Sequence, residues 1–126
     1  MDSILSNKDR AVTFLQMVAK GNVKDAYHQF ASSDFLHHNP FFKGDAASLM
    51  NAMEANAEQN PDKRFEVKRT IAEGEQVVVH SHVKQNPEDP GAVVVHIFRF
   101  QDGLIAELWD VGQLIPEDSP NENGVF

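Results

Sequence analysis

No cysteine occurs anywhere in the chain, which excludes disulfides, thiolate-bound zinc and a thiol nucleophile. No apolar run exceeds five residues, far below the roughly 20 that an α-helix needs to span a bilayer. Positive charge is scarce: 11 Lys and Arg stand against 19 Asp and Glu, a formal net charge of −8. Only Lys63-Arg64 and Lys68-Arg69 set two cations side by side. Affinity for phosphate backbones comes from clustered cations that release counterions, so neither nucleic acid nor a membrane is an expected partner. No basic stretch followed by an apolar core opens the sequence, so no export leader is expected and the reading is cytoplasmic.

What is present suits a single globular domain over residues 1–126, with 116–126 as an extended tail. The chain is 41% hydrophobic and 24% charged, an ordinary balance, and a chain of this length buries enough surface to fold unaided. Helical spacing comes first. Ser6 and Asp9 form a capping pair ahead of Ala11, Phe14, Leu15, Val18 and Ala19, and Gly21 supplies the stop. Val23, Ala26, Tyr27 and Phe30 make a second, shorter stripe. Asp45 caps a third helix that buries Ala46, Leu49, Met50, Met53 and Ala57. Between the second and third helices, Phe35 to Pro40 reads as a short strand or an extended turn, because the residue before proline is pushed out of the helical region.

From Phe65 the period changes to two. Phe65, Val67 and Arg69 alternate with Glu66, Lys68 and Thr70, and Glu73-Gly74 turns the chain. Val77–Lys84, Val93–Phe100 and Leu104–Leu114 follow as strands, the last two joined at Asp102-Gly103. Three helices ahead of a four-strand antiparallel meander define an α+β fold. If the sheet curls strongly, sheet and helices enclose a cone.

Several strings carry a resemblance. They are His37-His38-Asn39-Pro40, Ile71-Ala72-Glu73-Gly74, Val79-His80-Ser81-His82-Val83-Lys84, Ile97-Phe98-Arg99-Phe100-Gln101-Asp102-Gly103 and Glu107-Leu108-Trp109-Asp110-Val111. Together with the element order, from about Asp9 to the C-terminus, they resemble the SnoaL-like polyketide cyclases of the nuclear-transport-factor-2-like (NTF2-like) superfamily, and within them the aldol-condensing subgroup. The resemblance implies an NTF2-like cone and a homodimer formed through the sheet. It implies a final-strand acid serving acid/base chemistry, with a histidine of the preceding strand polarising a small-molecule substrate. By motif position these are Asp110 and His96.

The residue types suit that chemistry. Removing a proton α to a carbonyl needs a weak base and a donor where charge develops on oxygen, and burial moves a carboxyl pKa toward the working range. No metal or organic cofactor is required. His38 is a further candidate electrophile, and Trp109, Phe98, Phe100, His80, His82, Tyr27 and Met53 are expected to line the pocket.

Strand parity is the test of the pairing. A two-residue turn at Asp102-Gly103 pairs Gln101 with Leu104 and puts His96 and Asp110 on opposite faces. A three-residue loop pairs Phe100 with Leu104 and makes them diagonal neighbours on one face. A further bulge reverses either answer.

His80 and His82, two apart in a strand, share one face. They could line the pocket, join a third ligand around a divalent ion, or face a partner subunit if Val77, Val79 and Val83 point inward. A non-catalytic binding module remains the alternative to an enzyme. It would show Asp110 paired to an arginine such as Arg99 and aromatic side chains plugging the cavity. The closing Val125-Phe126 could dock over a pocket mouth or against a partner.

Overall fold

The computed structural model describes residues 5–126. Residues 1–4, the head of the stretch read above for a leader, lie outside the described residues. Helix α1 (Asn7–Ala19) begins at a reciprocal cap: Asp9 N–H donates to the Ser6 hydroxyl at 3.1 Å, and Ser6 N–H donates to the Asp9 carboxylate at 3.4 Å. Helix α2 (Val23–Phe30) buries all four residues of its stripe, Val23, Ala26, Tyr27 and Phe30. Helix α3 (Ala46–Gln59) starts where the Asp45 carboxylate accepts the Ser48 N–H at 3.0 Å. It buries Leu49 fully, with Met50 and Met53 partly covered against the same core. Among the described residues no helix is long and apolar enough to cross a membrane.

Five strands make one sheet: β1 (Ala31–His37), β2 (Arg64–Glu73), β3 (Gln76–Lys84), β4 (Ala92–Gln101) and β5 (Leu104–Leu114), in the order β1-β5-β4-β3-β2. The meander β2 to β5 is antiparallel, as its turns and alternation predict. The fifth strand differs from the expectation. β1 begins directly at the end of α2, four residues before Phe35, and runs parallel to β5, with His37 opposite Leu108. Ser32, Ser33 and Asp34 have little intrinsic preference for strand; they lie in an irregular stretch whose two ends, Ala31 and Leu36, pair with Ile105 and Glu107 of a strand some 70 residues away, invisible to local periodicity.

The helices cover one face of the sheet. Val77, Val79 and Ser81 of β3, Phe98 and Phe100 of β4, and Ile105 and Leu108 of β5 are buried on that side with Phe14, Leu15, Val23 and Phe30 of the helices. The Phe98 ring meets Phe14 edge-on at 6.1 Å. In β2 an irregularity between Val67 and Arg69 sets Lys68 aside, so that Thr70 pairs with inward-facing Val79 and Arg69 with outward-facing His80. The strict alternation expected of Arg69 and Thr70 is thereby exchanged, as a bulge requires.

On the outer face the tail returns to the sheet. Ile115 N–H donates to the Gly91 carbonyl at 3.0 Å, and the terminal Phe126 ring lies 4.9 Å from His82 and 5.6 Å from His80. The Lys68 ammonium sits over the same ring at 4.8 Å. Removing Val125 and Phe126 is expected to lower stability by about 1 kcal/mol, read as a lower urea midpoint at unchanged slope. It should also shift the ring resonances of His80 and His82. Resonances that stay in place would show that the tail does not rest on them.

Candidate functional site

The turn between β4 and β5 has two residues, both left-handed: Asp102 at φ 54° and Gly103 at φ 80°. That is the signature of a type I′ hairpin, and Gln101 pairs with Leu104 accordingly. Taken alone, this register sends His96 and Asp110 to opposite faces. The ladder then shifts: Phe100 pairs with Ile105 but Arg99 pairs with Glu107, leaving Ala106 as the extra residue of a bulge. From there on the parity is reversed. His96 stands directly opposite Asp110, on the inward face with Val79. The first of the two registers is therefore present, and the bulge gives it the outcome of the second.

His96 is held in an apolar setting. Its ring lies 6.2 Å from Phe98 and 6.4 Å from Phe65. One edge of the residue reaches the cavity, but its Nδ1 is enclosed and has no hydrogen-bond partner among the described residues. Burial pushes the imidazole down from 6.5 to about 4, against the charge of Asp110, which raises it, and with Lys63, which lowers it further. The ring is therefore neutral near pH 7, with one nitrogen a donor and the other an acceptor.

Asp110 is positioned by the loop after β1. Its Oδ2 accepts from Asn39 Nδ2 at 3.1 Å. The Asn39 amide is itself oriented, because its Oδ1 accepts the Phe41 N–H at 3.0 Å. The Asn39 N–H donates to His37 Nδ1 at 3.1 Å, which leaves His37 Nε2 to donate to the Lys43 carbonyl at 2.7 Å. His37 is thus a buried clasp that fixes the loop carrying Asn39. Beneath, burial raises the pKa of the Tyr27 phenol, and the charge of Asp110 raises it further, so the group stays protonated.

Two cavities border this pair, one at His96 and the other at Asp110. An inner one of about 160 Å³ is lined by Leu15, Val18 and Met53 from the helices and by Phe65, Val94 and His96 from the sheet. A groove of about 620 Å³ runs beside it, bordered by Asn39, Phe41, Asp110 and Gly112, and Val94 lines both. Phe41, 85% exposed, stands at the groove's rim.

Other expected lining residues lie elsewhere. Phe98 and Phe100 are core residues behind the cavity, 0% and 2% exposed. Tyr27 packs between Phe14 and Phe35 at 5.1 and 5.5 Å rather than in the cavity wall. Trp109 pairs with Ile97 and faces outward, since its neighbours Leu108 and Asp110 face in. His38 lies flat on that indole at 5.0 Å and donates to Glu107 Oε2 at 2.5 Å. It borders the groove, but its Nε2 is committed to Glu107 and not to a substrate beside Asp110. Glu107 also accepts from Arg99 Nε at 3.0 Å, and these two bonds hold its carboxyl below the ordinary range. His80 and His82 share a face, as their spacing requires, but it is the outer one, because Val77, Val79 and Ser81 point inward. His82 donates to the Pro90 carbonyl at 2.8 Å. Among the described residues no three His, Asp or Glu side chains are arranged to hold a metal ion.

Two residues have roles that no local sequence signal marks. By sequence Asn39 reads only as part of a turn before Pro40, although an asparagine before proline is a ready side-chain donor. In the sequence Lys63 stands out only as the neighbour of another cation, Arg64. It is half-buried, donates to Asn56 Oδ1 at 2.7 Å, and burial lowers its pKa.

The SnoaL-like domain model matches residues 11–108. Among solved structures, the chain is similar to an NTF2-like protein of unknown function from Cytophaga hutchinsonii, at 17% identity and a TM-score of 0.71, over 90% of this chain and 95% of that one. AclR, a candidate hydroxylase from Streptomyces galilaeus, is 26% identical with a TM-score of 0.67, over 86% and 81% of the two chains. A candidate polyketide cyclase from Acidithiobacillus ferrooxidans is 18% identical with a TM-score of 0.68, over 88% and 91%. No curated protein matches the chain.

The histidine generates a pH dependence. The unfolded chain binds a proton at His96 near 6.5 and the folded one only near 4, so between these values the unfolded state holds more protons and stability rises with pH. The penalty is absent above 6.5, grows as pH falls and is complete below about 4, where it reaches at most on the order of 3 kcal/mol. In urea titrations, His96→Phe should flatten this slope relative to wild type. Parallel slopes for the two proteins would mean that His96 titrates as a solvated group.

Proposed function

The chain belongs to the SnoaL-like domain family, and from that premise we propose that it acts on a small, largely apolar, carbonyl-bearing molecule by acid–base chemistry that needs no metal or organic cofactor. Asp110 removes a proton from the carbon next to the carbonyl, and the electron pair of that C–H bond moves onto the carbonyl oxygen. The neutral His96 imidazole donates a hydrogen bond to the oxyanion as it forms. In an aldol closure the enolate carbon then bonds to a second carbonyl carbon of the same molecule, and the new alkoxide takes the proton back from Asp110. An isomerisation would use the same parts, with the proton returned to a different carbon.

The observation that carries this reading is the facing pair: an acid oriented by Asn39 and an enclosed imidazole with an unpartnered nitrogen, both on the cavity side of the sheet. A buried polar atom without a partner costs roughly 1–3 kcal/mol, and such sites are often functional. The binding-module alternative called for Asp110 tied to an arginine. Arg99 instead bonds Glu107 on the opposite face, and Asp110 stays open to the groove. The description of one structural neighbour as a candidate polyketide cyclase and of another, from Kribbella flavida, as a candidate ketosteroid isomerase points toward the same chemistry.

Exchange of α-protons for deuterium in a small aryl ketone such as phenylacetone, followed by NMR, tests the proton-transfer step without knowledge of the natural substrate. Wild type should accelerate exchange, and Asp110→Asn should lower the enzymic rate by about 10²-fold or more while the circular dichroism spectrum is unchanged. A rate in Asp110→Asn equal to wild type would remove Asp110 from the mechanism.

A further inference from the structure

Beyond the inner cavity lies a wider opening of about 580 Å³ between the ends of α1 and α3 and the start of β2. It shares Ala19, Lys63 and Phe65 with the inner cavity, so the two adjoin. Its charged lining is of one sign. Among the described residues, Lys20, Lys63 and Arg64 border it, with no Asp or Glu, in a chain where acids outnumber bases 19 to 11. The four ion pairs among the described residues involve Lys24, His38, Lys68 and Arg99 and none of these three cations. Lys63 is the most telling of them. Its ammonium carries three donors, and its side-chain partner is the neutral Asn56 amide. A half-buried cation beside an apolar cavity is costly without a counter-charge, and among the described residues no carboxylate lines this opening to supply one.

We propose that this opening binds a carboxylate carried by the substrate, with Lys63 and Arg64 as its ligands, while the apolar, carbonyl-bearing part of the same molecule reaches the inner cavity beside His96. The inference rests on the proposed function for the location of the reacting end and adds the class of the other end. A carboxylate suits both partners: the Lys63 ammonium is a compact point charge, and the Arg64 guanidinium offers a planar fork that matches two carboxylate oxygens. The acidic surface elsewhere repels such a ligand, so the opening is where an organic anion finds local complementarity.

Naphthylacetate and naphthylacetamide are a matched pair for the test, with the same apolar body to enter the inner cavity and an end group that differs in charge. Binding is followed by ¹³C-methyl NMR titration of the Met53 and Ala19 signals in the full-length protein. Naphthylacetate should bind about tenfold more tightly than the amide. Lys63→Met, which keeps the apolar stem, should abolish that preference and leave amide binding unchanged. Arg64→Gln, at an exposed position, should reduce it and serves as the second variant if Lys63→Met does not fold. Equal affinities in wild type, or a preference that survives both substitutions, would overturn the anion site while the cavity reading stands. Should neither compound move the Met53 signal, the cavity reading falls and the inference with it. A carboxylate preference that vanishes in Lys63→Met supports the site even if ketone exchange shows no catalysis.

Discussion

The extra residue that β5 carries at Ala106 decides which side of the sheet the acid meets. With period-two strands, every residue after a bulge changes face. Leu108 and Asp110 therefore point into the cone, while Glu107 and Trp109 point out. Ile105, which precedes the bulge, is fully buried as well, and so is Ala106 at 4% exposed. The bulge thus lets two consecutive residues face inward and then hands the inner face to the even-numbered residues. Without it, the tight Asp102-Gly103 turn would leave Asp110 on the outer face and a lone histidine inside.

The rest of the site follows from that parity. Once inside, an acid needs something to orient it, and the loop after β1 supplies Asn39. That loop can do so because β1 runs parallel to β5 and ends beside it, with His37 opposite Leu108 and the His38 N–H bonded to the Leu108 carbonyl at 2.9 Å. The His37 imidazole then closes the loop onto itself through Asn39 and Lys43. On the outer face the same parity assembles a separate polar group of His38, Glu107 and Arg99. Two histidines adjacent in sequence therefore serve the two faces: His37 supports the inner site and His38 belongs to the outer cluster.

Much of this was legible in the residues. Capping at Ser6 and Asp45, the stripe Val23-Ala26-Tyr27-Phe30 and the turn at Asp102-Gly103 are local signals, and each sits where local chemistry places it. The pairing of β1 with β5 was not, because Ser32 to Asp34 carry no strand signal of their own and the partner is distant. Facing was the weakest point. Spacing puts His80 and His82 on one face but leaves open which, and Trp109 reads as core or pocket wall; alternation with Val77, Val79 and Leu108, all strongly apolar, puts all three outside. The bulges at Lys68 and Ala106 have no sequence signature, and each flips the residues beyond it. Lys63 was missed for a different reason: its burial depends on α1, α3 and β2 meeting, which no local string encodes.

His96 and Asp110 stand opposite each other on the inward face of the sheet as electrostatic neighbours. Burial lowers the His96 pKa to about 4 and the Asp110 charge partly offsets that lowering. The most direct measurement is therefore the His96 titration, followed by ¹⁵N imidazole NMR, in wild type and in Asp110→Asn. With the neighbouring charge removed and the burial retained, the midpoint should fall below the wild-type value. A midpoint that stays the same would place the two groups out of electrostatic reach and contradict the paired site.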